Sequence, residues 1–565
     1  VEATINKQLP REVFTTNWAR LKQERQPVFD HCREINQSFM PRTGRFFEEQ
    51  PNARAGRRNL GIYDNTATRA AQTTAASILT TASSEAKPWF RLSTGDTNLD
   101  KLWEVRVYLD DVTRQILDTF SQSNVYQVLH QMYLELVLYG TACAILTEDD
   151  EDLIRLIPLT FGEYCLITDA AGRVVGLYRE VQMTCEQLVT KFGKDRVSPG
   201  VLKEMESNQL TNWHKVLHVI EPRDRYDPSS ESPLDRKWRS VYLELDCGDN
   251  KEYQGLLKES GYDRFPVIAP RWDVQGHDVY GTSPAMTCLG DVQSLQQAQF
   301  RLHQAIDYKT KPPVQLPPAM RGAEVDMSPG GRNYIGGTQP AKNLFDVNLE
   351  IDAMRELIID IRERILSAML VDVFLSLLSA SDTTQRTAEE IRERRDEKFQ
   401  LLGPVTNRLG SEQHAPLVVF TFYELMKANK LPPMPAILSE RTLRVEFISV
   451  LAQAQKAIAT VGVDRMMANV MAIGQTQPKI WNKIDLYYWA DFYSERYAID
   501  PKLIRPTKDA VAAEEAQNLA MAAKEQALHA EQMSKTFKNV ADARAQEPIT
   551  GPEANELFSG AAPAA

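Results

Sequence analysis

Residues 280–311 read YGTSPAMTCLGDVQSLQQAQFRLHQAIDYKTK, and the rest of the chain is arranged around them. A turn at Tyr280-Gly281-Thr282 leads into Ser283-Pro284. Serine at the N-cap and proline at the first helical position open a helix. The hydroxyl accepts a free backbone N–H, and proline has none to leave unsatisfied. Ala285, Leu289, Val292, Leu295, Ala298, Leu302 and Ala305 then recur every three or four residues. That spacing makes one apolar stripe on a helix of roughly 26 residues, about 40 Å long. The helix stops at Lys311-Pro312-Pro313.

Downstream, a Pro/Gly-rich loop contains Ser328-Pro329-Gly330-Gly331 and Gly336-Gly337. A second helix carries Ile351, Met354, Ile358, Ile361, Ile365 and Met369 on one face. Glu350, Asp352, Arg355, Glu356, Asp360, Arg362, Glu363 and Arg364 lie on the other. A polar loop from Ser379 to Gln385 precedes a third helix, where Thr387 and Glu390 form a capping box. Gly403-Pro404 is expected to bend that helix. Its run from Glu389 to Lys398 mixes charges at spacings of three and four. In a lone helix such a run is a solvated surface. In a ring it becomes complementarity repeated at every interface.

Upstream, residues 6–40 look like an irregular helix, 51–59 a loop and 62–81 an Ala/Thr-rich helix ended by Pro88-Trp89-Phe90. Leu102, Val105, Leu109, Val112, Ile116 and Phe120 mark a helix face, and Val125–Tyr139 a second helix stopped by Gly140. The period then becomes that of strands, at 142–147, 153–158, 163–168, 174–181, 216–220, 240–245 and 265–268, with a turn at 169–172. Thr184 and Gln187 cap a short helix to Phe192.

Beyond the third helix, Pro432-Pro433 and Pro435 break the chain. A strand at 442–447 and a helix at 449–473 follow. Trp481, Ile484, Tyr488 and Phe492 mark a further helix face, and Pro501 and Pro506 bound a linker. From Lys508 to Ala543 a narrow stripe runs through Ala512, Ala516, Leu519, Ala523, Ala527, Ala530 and Phe537. It suits close packing against copies of itself, the bland reading being a solvated single helix or a partly disordered tail. Residues 546–565 are expected to be unstructured.

At 565 residues, 43% of them hydrophobic, the chain exceeds one ordinary core. A formal charge of −11 argues against a protein that grips DNA by its phosphates. A channel that lets DNA slide is different, because tight phosphate contacts would stall the duplex. Cys32, Cys143, Cys165, Cys185, Cys247 and Cys288 form no CxxC pair and read as reduced packing residues. No apolar run approaches about 18 residues, so no membrane partner is expected.

Catalytic patterns are missing from the sequence. There is no GxxxxGK[ST] loop, and Gly330-Gly331 and Gly336-Gly337 lack the lysine and helix start that cradle phosphate. His214 and His218 are four apart in an expected strand, which sets them about 13 Å apart on one face. That is not the helical HExxH zinc geometry. Asp149, Asp150, Glu151 and Asp152 fall in an expected solvated turn. No catalytic residue, metal ligand or cofactor is expected. Between Arg301 and Lys342, Arg301, Lys309, Lys311, Arg321, Arg332 and Lys342 outnumber Asp307, Glu324 and Asp326.

Four stretches carry a resemblance, in order along the chain: IYDNTATRAAQTTAASILTTASSEAKPWFRL (62–92), RFPVIAPRWDVQGHDVYGTSPA (264–285), TAEEIRERRDEKFQLLGPV (387–405) and EFISVLAQAQKAI (446–458). Together they resemble the portal, or head-to-tail connecting, proteins of short-tailed bacteriophages (podoviruses). The resemblance implies a helix-dominated α+β portal fold, closed into a ring of roughly twelve copies. It implies a wing at 1–282, stem helices at 283–311 and 349–374, a clip at 312–348, a tunnel loop at 375–386, and a long bent helix at 387–431. A crown at 432–507, a C-terminal barrel helix at 508–545 and a disordered tail at 546–565 complete the chain.

By the same resemblance Ser379, Ser381, Asp382, Thr383, Thr384, Gln385 and Arg386 line the narrowest part of a DNA channel. Lys309, Lys311, Arg321, Arg332 and Lys342 dock partners at the clip, and Glu390, Arg394, Arg395 and Glu397 meet a neighbouring subunit. The implied partners are double-stranded DNA in transit, the terminase large subunit, tail adaptor and nozzle proteins, and the major capsid and scaffolding proteins. The implied place is the capsid portal vertex at the head-tail junction, after assembly in the host cytoplasm. The competing reading is a helical scaffolding protein without a channel, which the strand-rich middle disfavours.

Overall fold

The computed structural model describes residues 11–46, 61–96, 99–100, 102–230, 232–247, 255–310, 314–315, 342–343, 350–378, 403–438, 444–447, 466–467, 469–472, 484–490 and 507–546. The chain divides into two compact units, 1–472 and 473–565.

The first unit opens with α1 (Arg11–Phe39), one continuous helix with Pro27 inside it. The expected irregularity is therefore corrected. Phe14, Trp18, Leu21, Cys32, Ile35 and Phe39 are all buried at helical spacing, and that burial outweighs the one bond proline removes. In α2 (Thr66–Ala82) the buried face is small, with Ala67, Ala70, Ala71 and Ala75. Small residues let α4 (Val125–Tyr139) pack close against it. Between them, β1 (Phe90–Ser93) and α3 (Trp103–Gln122) follow; α3 buries the expected Val105, Leu109, Val112, Ile116 and Phe120.

Two antiparallel sheets come next. One has the order β3-β2-β9, from β2 (Cys143–Asp149), β3 (Leu153–Leu159) and β9 (Val267–Ile268). The other runs in chain order through β4 (Tyr164–Thr168), β5 (Val174–Thr184), β6 (Trp213–Pro222), β7 (Trp238–Glu244) and β8 (Leu256–Tyr262). Side chains alternate between its faces. Cys165, Tyr178, Leu217, Val219, Val241 and Leu243 meet Phe14, Trp18 and Leu21 of α1. On the opposite face Val216 and Leu257 cluster with Leu188 of α5 (Cys185–Phe192) and Val201 of α6 (Pro199–Glu206).

The Thr184–Gln187 capping box forms as expected. Helix α6 was not foreseen, although Ser198-Pro199 repeats the Ser283-Pro284 start signal and Ser198 accepts from Val201 N. Strands β1 and β8 were also missed. β1 pairs antiparallel with β12 (Arg444–Phe447) across more than half the chain.

Helix α7 (Pro284–Thr310) buries Ala285, Leu289, Val292, Leu295, Leu302 and Ala305, as its sequence indicated. In the segment that follows, β10 (Val314–Gln315) and β11 (Lys342–Asn343) pair antiparallel, setting Val314 opposite Asn343 and Gln315 opposite Lys342. Helix α8 (Ile351–Ala368) packs on α7 through Ile358, Ile361 and Ile365.

The expectation of one helix to 374 with a loop from 375 is corrected. α8 ends at Ala368, Leu370 takes a left-handed φ of 59°, and α9 (Val371–Leu378) begins. Val371, Val373 and Phe374 are buried and hold α9 against the body of the unit. Residues 403–409 are helical, Gly410–His414 form a π-helical turn, and α10 (Ala415–Lys427) continues. The irregularity that the described helix shows is thus the π turn, beyond Gly403-Pro404.

In the second unit, residues 486–490 are helical, with the Asp485 carboxylate accepting Tyr488 N at 2.9 Å. Helix α11 (Thr507–Gln546) follows, and Tyr487 Oη donates to Glu514 of it. Along α11, Leu519, Met521, Leu528, Met533, Phe537 and Val540 are exposed.

Candidate channel-forming segment

The segment begins where α7 leaves the core. Gly140 ends α4 with φ 72° and lies back to back with Gly281. A Cβ on Gly140 would sit 2.3 Å from Gly281 O, and one on Gly281 would sit 2.4 Å from Gly140 O. Hydrogen bonds close the contact. Gly281 N donates to Thr141 Oγ1 at 2.8 Å, and Trp272 N donates to Gly140 O at 2.9 Å. The Ser283 hydroxyl donates to Leu138 O at 2.8 Å and accepts Met286 N at 3.0 Å, so one side chain ends α4 and starts α7.

A polar clamp then ties α7 and α8 to residues 63–64. Gln296 Oε1 accepts Tyr63 N at 2.7 Å and Asp64 N at 2.9 Å, and Gln296 Nε2 donates to Asp64 O at 2.8 Å. Arg362 of α8 reaches the buried Asp64 carboxylate at 2.6 Å and 3.0 Å. Burial works to raise the Asp64 carboxyl, but the Thr66 hydrogen bonds and the Arg362 guanidinium outweigh it and hold the group below its ordinary value. A depressed carboxyl contributes stability above its unfolded pKa and loses it as pH falls through the folded one. Asp64→Asn is therefore expected to cost about 1.5–3 kcal/mol in urea unfolding near neutral pH. The gap to the parent should close only as pH falls below 3.8. A gap that persists in acid would show that packing, not charge, is lost.

The outer faces of the helix pair are unlike an ordinary solvated surface. On α8, Leu357 and Ile359 are 51% and 52% exposed, beside Arg355, Glu356 and Asp360. On α7, Phe300 and Tyr308 are 41% and 60% exposed.

A second anchor fixes the π turn. Arg271 donates from its backbone N, Nε and Nη2 to the Glu412 carboxylate, and its guanidinium also reaches Asp278 O and Gly172 O. His414 Nε2 lies 2.9 Å from Tyr133 Oη, which lies 2.7 Å from Ser83 Oγ. Trp89 packs on the imidazole at 4.8 Å between ring centres.

Burial pushes the His414 imidazole down to about 3 from 6.5. Folding thus favours its neutral form, so its contribution is full above pH 6.5 and is lost as pH falls toward 3. Buried His218 acts in the same direction. Glu135, raised by burial and by Glu163, acts oppositely, its cost growing as pH rises above 4.5. Each histidine is expected to remove about 1.4 kcal/mol per pH unit below 6.5. His414→Gln should shrink the fall in melting temperature between about pH 7 and pH 5. An unchanged fall would assign the acid sensitivity elsewhere.

Of the residues singled out from sequence, Lys309 is exposed in the last turn of α7, and Lys342 lies in β11 opposite Gln315. Lys311, Arg321 and Arg332 lie outside the described residues, as do Ser379, Ser381, Asp382, Thr383, Thr384, Gln385, Arg386, Glu390, Arg394, Arg395 and Glu397. His214 pairs with Glu204 at 2.8 Å, and His218 is buried in the sheet. Asp149 holds its own hairpin turn, accepting Glu151 N at 2.9 Å and pairing with Arg155 at 3.1 Å. All six cysteines are free thiols, and Cys32, Cys143, Cys165, Cys185 and Cys288 are buried. Among the described residues no helix is long and apolar enough to cross a membrane.

Sequence reasoning missed Arg271, Glu412 and His414. Arg271 and Glu412 are 141 residues apart, and no periodicity links them. Arg271 does fall inside the quoted stretch 264–285, which was the available signal.

Comparison with known proteins adds to this geometry. The family model described as "Bacteriophage head to tail connecting protein" matches residues 11–504. A "Probable portal protein" of Bordetella phage BPP-1 is 41% identical over 502 residues, 88% of this chain and 89% of that one. The "Portal protein" of Salmonella phage epsilon15 is 35% identical over 500 residues, again 88% and 89% of the two chains. That of Enterobacteria phage T3 is 25% identical over 354 residues, 59% of each. Among solved structures, a chain from the neck of an empty gene transfer agent particle matches 73% of this chain and 87% of its own length. Its TM-score is 0.35 at 12% identity, too low to bear on the arrangement. On the match across 11–504 and these portal relatives, the chain belongs to the bacteriophage head-to-tail connecting protein family.

Proposed function

We propose that this chain is the subunit of a portal ring at one capsid vertex, through which viral double-stranded DNA is packaged and later ejected, and to which the tail attaches. The observation that carries the reading is the α7–α8 pair. It is clamped to its own core through Asp64, Gln296 and Arg362, yet leaves Leu357, Ile359, Phe300 and Tyr308 exposed among charged neighbours. Large apolar side chains held out on a rigid helix pair fit burial against further copies.

In this reading α7 and α8 are the stem, 312–348 the clip that docks the terminase large subunit and then the tail adaptor and nozzle, and 508–545 a barrel helix. Ser379 to Arg386 form the tunnel loop, whose small polar side chains pass a duplex without gripping it. The protein's part is positional, and a separate motor hydrolyses ATP.

Native mass of the purified chain, with end-on electron-microscope views, tests the reading. A closed ring near twelve times the 64.0 kDa subunit, with a central hole, is expected. A monomer, dimer or rod that remains so with scaffold and capsid proteins present would overturn it in favour of a scaffolding role. Deleting residues 379–385 is expected to leave rings intact and impair packaging or retention of DNA. Loss of the rings would place that loop in the structural core instead.

A further inference from the structure

The five-stranded sheet carries a row of cations that the portal reading does not use. Strand register sets Tyr164, Arg179, His218, Tyr242 and Lys258 side by side across β4 to β8, on one face. Arg179 is 6% exposed and His218 1%. Arg179 Nε donates to His218 Nδ1 at 2.9 Å, so His218 Nε2 carries the proton and donates to Ser240 Oγ at 3.0 Å. The imidazole is thereby spent as a neutral acceptor and brings no negative charge. Tyr242 stacks on His218 with 4.0 Å between ring centres and 6° between planes. Lys191, from α5, lies 4.9 Å from the centre of the Tyr242 ring.

Among the described residues no carboxylate pairs with Arg179, Lys191 or Lys258. The nearby acids are engaged elsewhere: Glu180 with Lys215 at 3.7 Å, Glu259 with Arg223 at 3.2 Å, and Glu204 with His214 at 2.8 Å. Glu186 shares α5 with Lys191 without an ion pair, and both line an open hollow of about 440 Å³ with Met183, Gln187 and Thr190. Although Lys191 is exposed as a residue, desolvation of its ammonium against the Tyr242 and Phe192 rings, with Arg179 and Lys258 adding repulsion, holds it below its ordinary pKa.

A guanidinium taken out of water calls for a counter-charge. Tyr242, hydrogen-bonded to Arg179 through its hydroxyl and lying under Lys191 with its ring, brings none. We propose that Arg179, Lys191 and Lys258, arranged around Tyr242, bind a small oxyanion of the phosphate class. Arginine supplies a planar fork that matches such an anion, and the lysines supply point charges at its rim. The burial of Arg179 selects a small free anion over the backbone of a duplex. These residues belong to the five-stranded sheet and α5, not to the α7–α8 pair, so the inference stands apart from ring formation.

The test is calorimetric titration of the full chain with inorganic phosphate at constant ionic strength in chloride. Saturable binding at one site per chain is expected. Lys191→Gln with Lys258→Gln, both exposed positions, should weaken it about tenfold or more. Lys258→Glu would supply the missing carboxylate within the chain. It is expected to raise the melting temperature in chloride and to remove the further rise that phosphate gives the parent. No saturable heat with phosphate, equal binding by the double variant, or displacement of phosphate by a short duplex DNA would each overturn the proposal.

Discussion

Gly140→Ala and Gly281→Ala are each expected to destabilise the chain by about 3 kcal/mol or more, a large share of a domain's stability. The two glycines meet through their backbones, and each added Cβ would lie within 2.4 Å of the other's carbonyl oxygen. A flexible side chain could swing away from such a contact. Here the opposing atoms are peptide groups already fixed by Thr141, Trp272 and Ser283. Gly140 has a further cost, because its φ of 72° lies in the left-handed region that a Cβ disfavours by about 1–2 kcal/mol. Gly172 provides the control. Its φ is 76°, but nothing lies within 4 Å of an added Cβ, so Gly172→Ala should show the conformational cost alone. Urea midpoints would rank Gly140→Ala lowest, Gly281→Ala next and Gly172→Ala nearest the parent. If Gly172→Ala fell as far as Gly281→Ala, the back-to-back contact would not be what limits the joint.

This joint also shows how far sequence carries. Ser283-Pro284 announced α7 and Gly140 announced the end of α4, since both signals are local: a cap, a missing N–H, a left-handed residue. That the two signals meet was not legible, because the contact joins residues 141 positions apart. The same division runs through the chain. Helix faces at 105–120, 285–305 and 351–369 and the alternating strands from 143 to 184 were readable from period alone, whereas Leu102, expected on the first face, precedes its helix and is exposed. β1 was not, because four residues next to Pro88 read as the end of a helix until β12 arrives from far downstream. The break at Leu370 was hidden for another reason. The apolar stripe continues through it, and period says nothing about a single left-handed residue. The tunnel-loop and charged-helix residues rest on resemblance, as residues 379–402 lie outside the described part.

Glu412→Ala is expected to be the most damaging substitution outside that joint, at about 3–5 kcal/mol. Arg271 is 5% exposed as a residue, whereas the Glu412 side chain is 23% exposed. Removing the carboxylate leaves a buried guanidinium with two carbonyl contacts and no counter-charge. Removing the arginine leaves a carboxylate that can turn toward water. Arg271→Met should therefore cost less than Glu412→Ala, an asymmetry that simple loss of a shared bond would not give. The double change Arg271→Met with Glu412→Leu removes both charges and should recover much of the loss.

The site of the pair makes the consequence more than thermodynamic. Glu412 sits in the π turn, between the helical residues 403–409 and α10. A π turn carries one extra residue, and something must hold it against relaxing to an α-helix. Arg271 holds it from the loop before α7, and Tyr133 holds it through His414. In the portal reading that loop adjoins the stem and that helix leads from the tunnel loop. Releasing the pair should then impair DNA passage in rings that still close. Unfolding midpoints of the three variants, with native mass of the double variant, decide the matter. A double variant as unstable as Glu412→Ala would mean that the turn needs the arginine's carbonyl contacts more than its charge pair.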